Sequence, residues 1–165
     1  VTIRIRPART GDVRAIRALV DLYAARRILL SKATVTLYED VPDFLVAERG
    51  DRVVGCGALH VLWEDLGELR TLAVDPDEVG QGIGRLLVEA LLDRARGLGV
   101  SRVFCLTFET EFFQGSGFAE IEGTPVEADV YRQLLQSYDE GIAEFLDLER
   151  VKPNTLGNHR MLRVL

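Results

Sequence analysis

The sequence predicts an α+β fold, and three observations carry that prediction. Three strand-like segments, 44–48, 53–61 and 67–74, follow one another closely, with Gly50-Asp51 as a hairpin signal between the first two. Ile83, Leu86, Leu87, Ala90 and Leu91 then recur at i, i+3, i+4, i+7 and i+8, one face of a helix. A turn carrying Gly80, Gly82 and Gly84 joins the last strand to that helix.

The elements follow in order. Residues 2–7 alternate Ile3 and Ile5 with Arg4 and Arg6, a half-exposed strand that Pro7 ends. Thr10-Gly11-Asp12 offers caps for a helix with Val13, Ile16, Leu19, Val20 and Tyr23 on one face. Within 26–40, Val35, Leu37 and Tyr38 suit a short second helix. The run of strands 44–74 reads as antiparallel. In the helix from Gly82, Arg94 and Arg96 complement the dipole of the last turn, and Gly97 and Gly99 end it. A short buried strand over 103–107, a short helix over 109–115 and a strand over 118–121 follow.

Residues 124–152 stand apart. Val130, Leu134, Leu135 and Tyr138 are spaced as a helical stripe, and Ile142, Phe145, Leu146 and Leu148 follow among acids. The plain reading is a packed or solvated helical excursion. The functional reading is a homodimer contact or a lid. A closing strand is expected over 154–165.

Bulk properties narrow the classes. The 165 residues suit one domain over 1–165, with 47% hydrophobic and 28% charged residues. The net charge of -6 argues against a nucleic-acid-binding face. No apolar run approaches the ~18 residues of a membrane span, and Val1–Arg6 is too polar for a signal peptide. Cys56 and Cys105 lie in apolar runs and read as reduced thiols, so the expected location is cytoplasmic. A catalytic thiol is the lesser reading, since no motif positions a histidine. No metal site is expected.

The glycine turn carries the first functional inference. The opening of a helix presents backbone N–H groups without intrahelical partners, and its dipole favours an anion. Glycine lets the backbone approach that anion closely. The spacing fits neither G-x-x-x-x-G-K-[ST] nor G-x-G-x-x-G, because Leu87 stands at the third glycine position of the latter. The expected ligand is a pyrophosphate-bearing cofactor.

Val74-Asp75-Pro76 followed by Val79-Gly80-Gln81-Gly82-Ile83-Gly84 resembles the acyl-CoA motif of the GNAT (Gcn5-related N-acetyltransferase) superfamily, V-x-P then [Q/R]-x-x-G-x-[G/A]. Val79 departs from the usual Gln/Arg. Phe112-Phe113-Gln114-Gly115-Ser116-Gly117-Phe118 resembles the second landmark, an aromatic pair followed by x-x-x-G-F. The resemblance implies the GNAT fold, an α/β/α sandwich whose mixed, mostly antiparallel sheet has a V-shaped split between strands 67–74 and 102–107. It implies acetyl-CoA as co-substrate, contacted by Leu72, Ala73, Val74, Val79, Gly80, Gln81, Gly82, Ile83, Gly84, Arg85 and Phe113. It also implies an oxyanion donor at a backbone N–H near Leu72.

Acetyl transfer to an amine needs a proton acceptor and protonation of the departing thiolate. Glu68 on the central strand is the candidate catalytic base, with Glu64, Asp65 and Glu109 weaker. Alternation puts Glu68, Arg70 and Leu72 on one face and Leu69, Thr71 and Ala73 on the other. The plain reading of Glu68 is a solvated carboxylate at the sheet edge. Many GNAT enzymes carry a tyrosine acid where this chain has Phe113. The proton must then come from water, the acceptor, or a hydroxyl such as Thr107, Thr110 or Ser116.

Gly67-Glu68-Leu69-Arg70-Thr71-Leu72-Ala73-Val74, Gly55-Cys56-Gly57-Ala58-Leu59, Leu29-Leu30-Ser31-Lys32 and Arg160-Met161-Leu162-Arg163-Val164-Leu165 resemble segments of the acetyltransferase domain of N-acetylglutamate synthases. The chain would be a stand-alone form without the amino-acid-kinase-like domain. The resemblance implies N-acetylation of the α-amine of glutamate, or of glutamine, in arginine biosynthesis. Lys32 and Arg160 match cationic positions, and Arg70 is a third cation for the acceptor's carboxylate. The alternatives are acetylation of another small amine or a protein N-terminus, and a non-catalytic CoA-binding module.

Overall fold

The computed structural model describes residues 2–26, 33–124, 126–137, 139, 142 and 158–165. Seven strands form one mixed sheet in the order β1-β2-β3-β4-β5-β7-β6. They are β1 Ile3–Pro7, β2 Phe44–Arg49, β3 Arg52–Trp63, β4 Leu66–Val74, β5 Arg102–Thr107, β6 Ala119–Glu120 and β7 His159–Val164. β4 and β5 run parallel; the other paired strands are antiparallel. The helices are α1 Val13–Ala25, α2 Thr34–Glu39, α3 Ile83–Leu98, α4 Thr110–Gly115 and α5 Ala128–Leu134.

The apolar patterns place the layers. Ile83, Leu87, Val88, Leu91, Leu92 and Ala95 bury one face of α3 against Leu45, Leu59 and Leu69 of the sheet. Val13, Ile16, Leu19 and Val20 of α1, with Leu37 of α2, cover the other face over Phe44, Val46, Ala58 and Ala73. Each fully buried Leu or Ile contributes roughly 1.5–3 kcal/mol. The predicted α3 stripe is therefore corrected: Leu86 is 47% exposed, and Val88, Leu92 and Ala95 take up the core side. Gly57 is what lets the sheet and α3 close. A Cβ there would lie 2.9 Å from Leu91 Cδ1 and 3.0 Å from Leu72 Cδ1.

Smaller differences have local causes. Asp12 does not cap α1; its carboxylate pairs with Arg6 at 2.8 Å and accepts from the Arg9 N–H. In α2 the buried residue is Leu37, while Val35 and Tyr38 point outward. Gly97 continues α3, and Gly99, in the left-handed region, ends it. The strand expected over 118–121 shrinks to β6, paired with Met161 and Leu162 in the middle of β7. The excursion begins with α5; Val130 and Leu134 pack inward, and Leu135 is exposed. Tyr138, Phe145, Leu146 and Leu148 lie outside the described residues.

Two features shape the centre of the sheet. The β4–β5 ladder runs only from Leu66 to Glu68, opposite Arg102 to Phe104, so the strands part beyond Glu68. That is the predicted V-shaped split. β4 also bulges: Ala58 pairs with Arg70 and Cys56 with Ala73, leaving Thr71 and Leu72 opposite Gly57 alone. Thr71 takes a φ of 58° there, and its carbonyl accepts from the Cys56 thiol at 3.5 Å. The bulge overturns the predicted alternation. Leu72 joins Leu69 on the α3 face, and Ala73 turns toward α1. Glu68 and Arg70 keep a common face, opposite His60 and Ala58.

Candidate active site

At the end of β4 the chain makes a tight turn into α3. Gly80 and Gly82 have φ of 87° and 80°, values that only glycine takes without strain. Gly82 caps α3, a helix of 16 residues. A Cβ added at Gly80 or Gly82 would meet no atom within 4 Å, so the space above this N-terminus is open. The turn thus fits a phosphate-bearing group. Gly84 does another job: a Cβ there would lie 3.2 Å from Phe112 Cζ, so this glycine seats α4 against α3.

The neighbouring side chains split into two groups. Val79, Gly80, Gln81, Gly82 and Arg85 are exposed around the turn. Ala73 and Ile83 are buried with their side chains in the core. Leu72, Val74 and Gly84 are half-buried. Gln81 is tied from the β2–β3 side, where Arg49 Nη2 donates to its Oε1 at 2.6 Å. Arg49 also reaches Glu78 at 3.1 Å. Phe113 is buried, edge-on to Phe112 and Phe118, and packs in the core. Tyr23 of α1, which the sequence reading used only as a core residue, donates its hydroxyl to the Val74 carbonyl at 2.5 Å. Burial raises that phenol.

Beside the split lies a charged cluster. Glu68 is 4% exposed, which removes the reading of a solvated edge carboxylate. Its Oε2 accepts from Arg70 Nη2 at 2.6 Å and Nε at 3.2 Å. The outer edge of the same guanidinium donates from Nη1 and Nη2 to both oxygens of Asp139, each at 2.9 Å. His60, facing Glu68 across the β3–β4 ladder, has Nδ1 3.1 Å from Asp43 Oδ2 and Nε2 3.8 Å from Asp139 Oδ2. Burial lowers the Arg70 pKa, but Glu68 and Asp139 outweigh it and raise it above its ordinary value. Burial would raise the Asp139 carboxyl. Hydrogen bonds and charge from Arg70, the Ile142 N–H and His60 hold it well below the usual carboxylate range.

The remaining predicted residues are scattered. Arg160 lies on β7 opposite Leu106, across the split from β4, with Nη1 3.4 Å from the Gly123 carbonyl. Lys32 lies outside the described residues. Glu64 and Asp65 sit at the β3–β4 turn, at the far end of β4 from Gly80, and Asp65 pairs with Arg102 at 2.9 Å. Glu109 precedes α4, and its N–H donates to Thr107 Oγ1 at 2.8 Å. Ser116 is buried and Thr110 half-buried. Burial pushes the Cys56 thiol up to about 12. Burial, then the charge of Glu68, pushes Cys105 up as well. Both thiols stay protonated, which removes the thiolate nucleophile.

Sequence reasoning missed Asp43, His60 and Asp139. For His60 a signal existed: its place directly across from Glu68 follows from hairpin register. Asp139 had none, because 69 residues separate it from Arg70.

Comparison with known proteins adds a family pattern, two relatives and two solved structures. The sequence pattern described as "Acetyltransferase (GNAT) family" matches residues 16–118. A Mycobacterium tuberculosis protein named amino-acid acetyltransferase is 63% identical over 98% of this chain and 94% of its own length. A Neisseria meningitidis amino-acid acetyltransferase is 36% identical over 70% of this chain and 27% of its own. Among solved structures, Rv2747 from Mycobacterium tuberculosis, in complex with CoA and NLQ, superposes with a TM-score of 0.94. It is 62% identical, over 98% of this chain and 99% of that one. N-acetylglutamate synthase from Neisseria gonorrhoeae, with CoA and N-acetyl-glutamate, gives 0.80 at 28% identity, over 100% of this chain and 35% of that one.

Proposed function

The chain belongs to the GNAT acetyltransferase family, and from that premise we propose that it transfers acetyl from acetyl-CoA to the α-amino group of a free amino acid, glutamate or glutamine. The product would be N-acetylglutamate or its glutamine counterpart, with a place in arginine biosynthesis. The observation that carries the reading is the pairing of an open glycine cradle with a buried carboxylate at the mouth of the same split. The name of the 63% identical relative and the ligands of the two solved neighbours support it.

The residues divide the work. The N–H groups of Gly80, Gln81, Gly82, Ile83 and Gly84 would hold the pyrophosphate, with Val79 and Arg85 at its rim. The main chain of Leu72, Ala73 and Val74 would line the thioester arm, and the bulged backbone near Leu72 would polarise the acetyl carbonyl. Acetyl-CoA supplies the acetyl group as a thioester. As the amine nitrogen bonds to the carbonyl carbon, Glu68 accepts the proton the nitrogen releases, directly or through water. The C–S bond then breaks, and the thiolate takes a proton from water or from the acceptor. Phe113 has none to give. Lys32 and Arg160 would bind the acceptor's carboxylate. Arg70 already holds two carboxylates of its own chain, so its part is to hold Glu68.

Thiol release from acetyl-CoA against a panel of free amino acids tests this. Turnover confined to glutamate or glutamine is expected. Silence across the panel with acetyl-CoA still bound would overturn the amino-acid reading and turn the search to peptide amines.

A further inference from the structure

Among the described residues after α5, Asp139 reaches the charged cluster. Asp139 meets Arg70 end-on, one oxygen to each terminal nitrogen at 2.9 Å. Glu68 meets the same guanidinium side-on, at Nε and Nη2. One rigid, planar cation thus bridges two carboxylates, and displacing either carboxylate turns the plane for both. Asp139 is itself held. Its Oδ1 accepts from the Ile142 N–H at 3.1 Å, and its own N–H donates to Ser137 Oγ at 3.1 Å. Leu134 and Ile142, on either side of it in sequence, are buried with Leu62, Leu66 and Phe104 beneath the sheet. The described residues on either side of Asp139 are thus packed into the core.

We propose that Asp139 is a positioning residue for acetyl transfer. By gripping the outer edge of Arg70, it fixes where the Glu68 carboxylate sits and how much of Arg70's charge that carboxylate meets. Asp139 then belongs to the reaction centre. The assignment rests on Glu68 as the proton acceptor. The groups around Glu68 are Arg70 on its own strand, His60 across on β3 with Asp43 behind it, Cys105 on β5, and Asp139 from the excursion. Of these, Asp139 shares Arg70 with Glu68.

The test is D139N, which keeps the shape and removes the charge. With Arg70 left to Glu68 alone, proton acceptance weakens. The expected result is a fall in kcat of about three- to tenfold and an acid limb of the pH–rate profile moved to lower pH. The KM for acetyl-CoA should stay within about twofold of the parent. D139E, which keeps the charge on a longer arm, should leave the limb in place while lowering kcat. Parent kcat and an unmoved limb in D139N would overturn the proposal, as would a limb that moves equally in D139E. If D139N fails to fold, the limb position in D139E decides. E68Q measured alongside keeps the two readings apart. An active E68Q removes the proton-acceptor reading itself. An inactive E68Q with an unmoved D139N profile removes only the role of Asp139.

Discussion

The glycine turn and the charged cluster are built on opposite plans. The turn is one continuous stretch, 74–84, in which Gly80 and Gly82 take positive φ and lead into the N-terminus of α3. The cluster draws Asp43, His60, Glu68, Arg70 and Asp139 from four separate parts of the chain. The first is set by local backbone conformation, and Val79 stands in it at the usual Gln/Arg position. The second depends on side-chain charge and on tertiary packing that holds two carboxylates to one guanidinium. The two should therefore fail independently.

The sharpest separation comes from Glu68. E68Q should lower kcat by about 10²–10³-fold and leave acetyl-CoA affinity at the parent value. Single-turnover kinetics with a direct titration of acetyl-CoA measures both. A matching loss of acetyl-CoA binding would show that the two regions are one unit.

The converse lesion is G82V. A β-branched residue at a φ of 80° strains the turn and fills the cradle. The KM for acetyl-CoA should rise at least about tenfold, ~1.4 kcal/mol of binding, while kcat at saturation changes little. Strain should also lower the unfolding free energy by about 1–3 kcal/mol. Unchanged acetyl-CoA affinity in a folded G82V protein would remove the phosphate assignment.

The smallest effect concerns stability. The carboxyls of Asp139 and Asp12 are held below their ordinary range, Asp12 foremost by its hydrogen bonds to Arg6. A depressed folded-state pKa stabilises the fold above the unfolded value, near about 4, and loses that contribution as pH falls through the folded value. Urea midpoints should thus be level from about pH 6 to 5 and drop below about pH 4. D139N should show a shallower drop. An equal slope in D139N would mean that the Arg70–Asp139 bridge contributes nothing to the folded state.

The contrast between the regions also explains what could be read in advance. Strand 67–74, the Gly50-Asp51 hairpin and the helix opening at Gly82 were legible, because period and turn chemistry are local; the split between the central strands was expected only from the family resemblance, and its start beyond Glu68 came from the structure. The bulge at Thr71 was not. Nothing in Arg70-Thr71-Leu72 marks an extra residue; it appears because β3 offers Gly57 alone opposite two residues. Phe113 shows the same limit. Its motif position suggested a cofactor contact, and its edge-on packing against Phe112 and Phe118 emerged only from the fold.

By itself, the sequence determined the layered α+β arrangement and the anion-ready turn, since both follow from which residues repeat and where glycine frees the backbone. Tertiary structure alone decided the environment of Glu68. Whether that carboxylate is solvated or buried, and which cation it meets, depends on Arg70 being shared with Asp139, 69 residues on. Charge interactions act through space and burial, and neither is written in the spacing of residues along a chain.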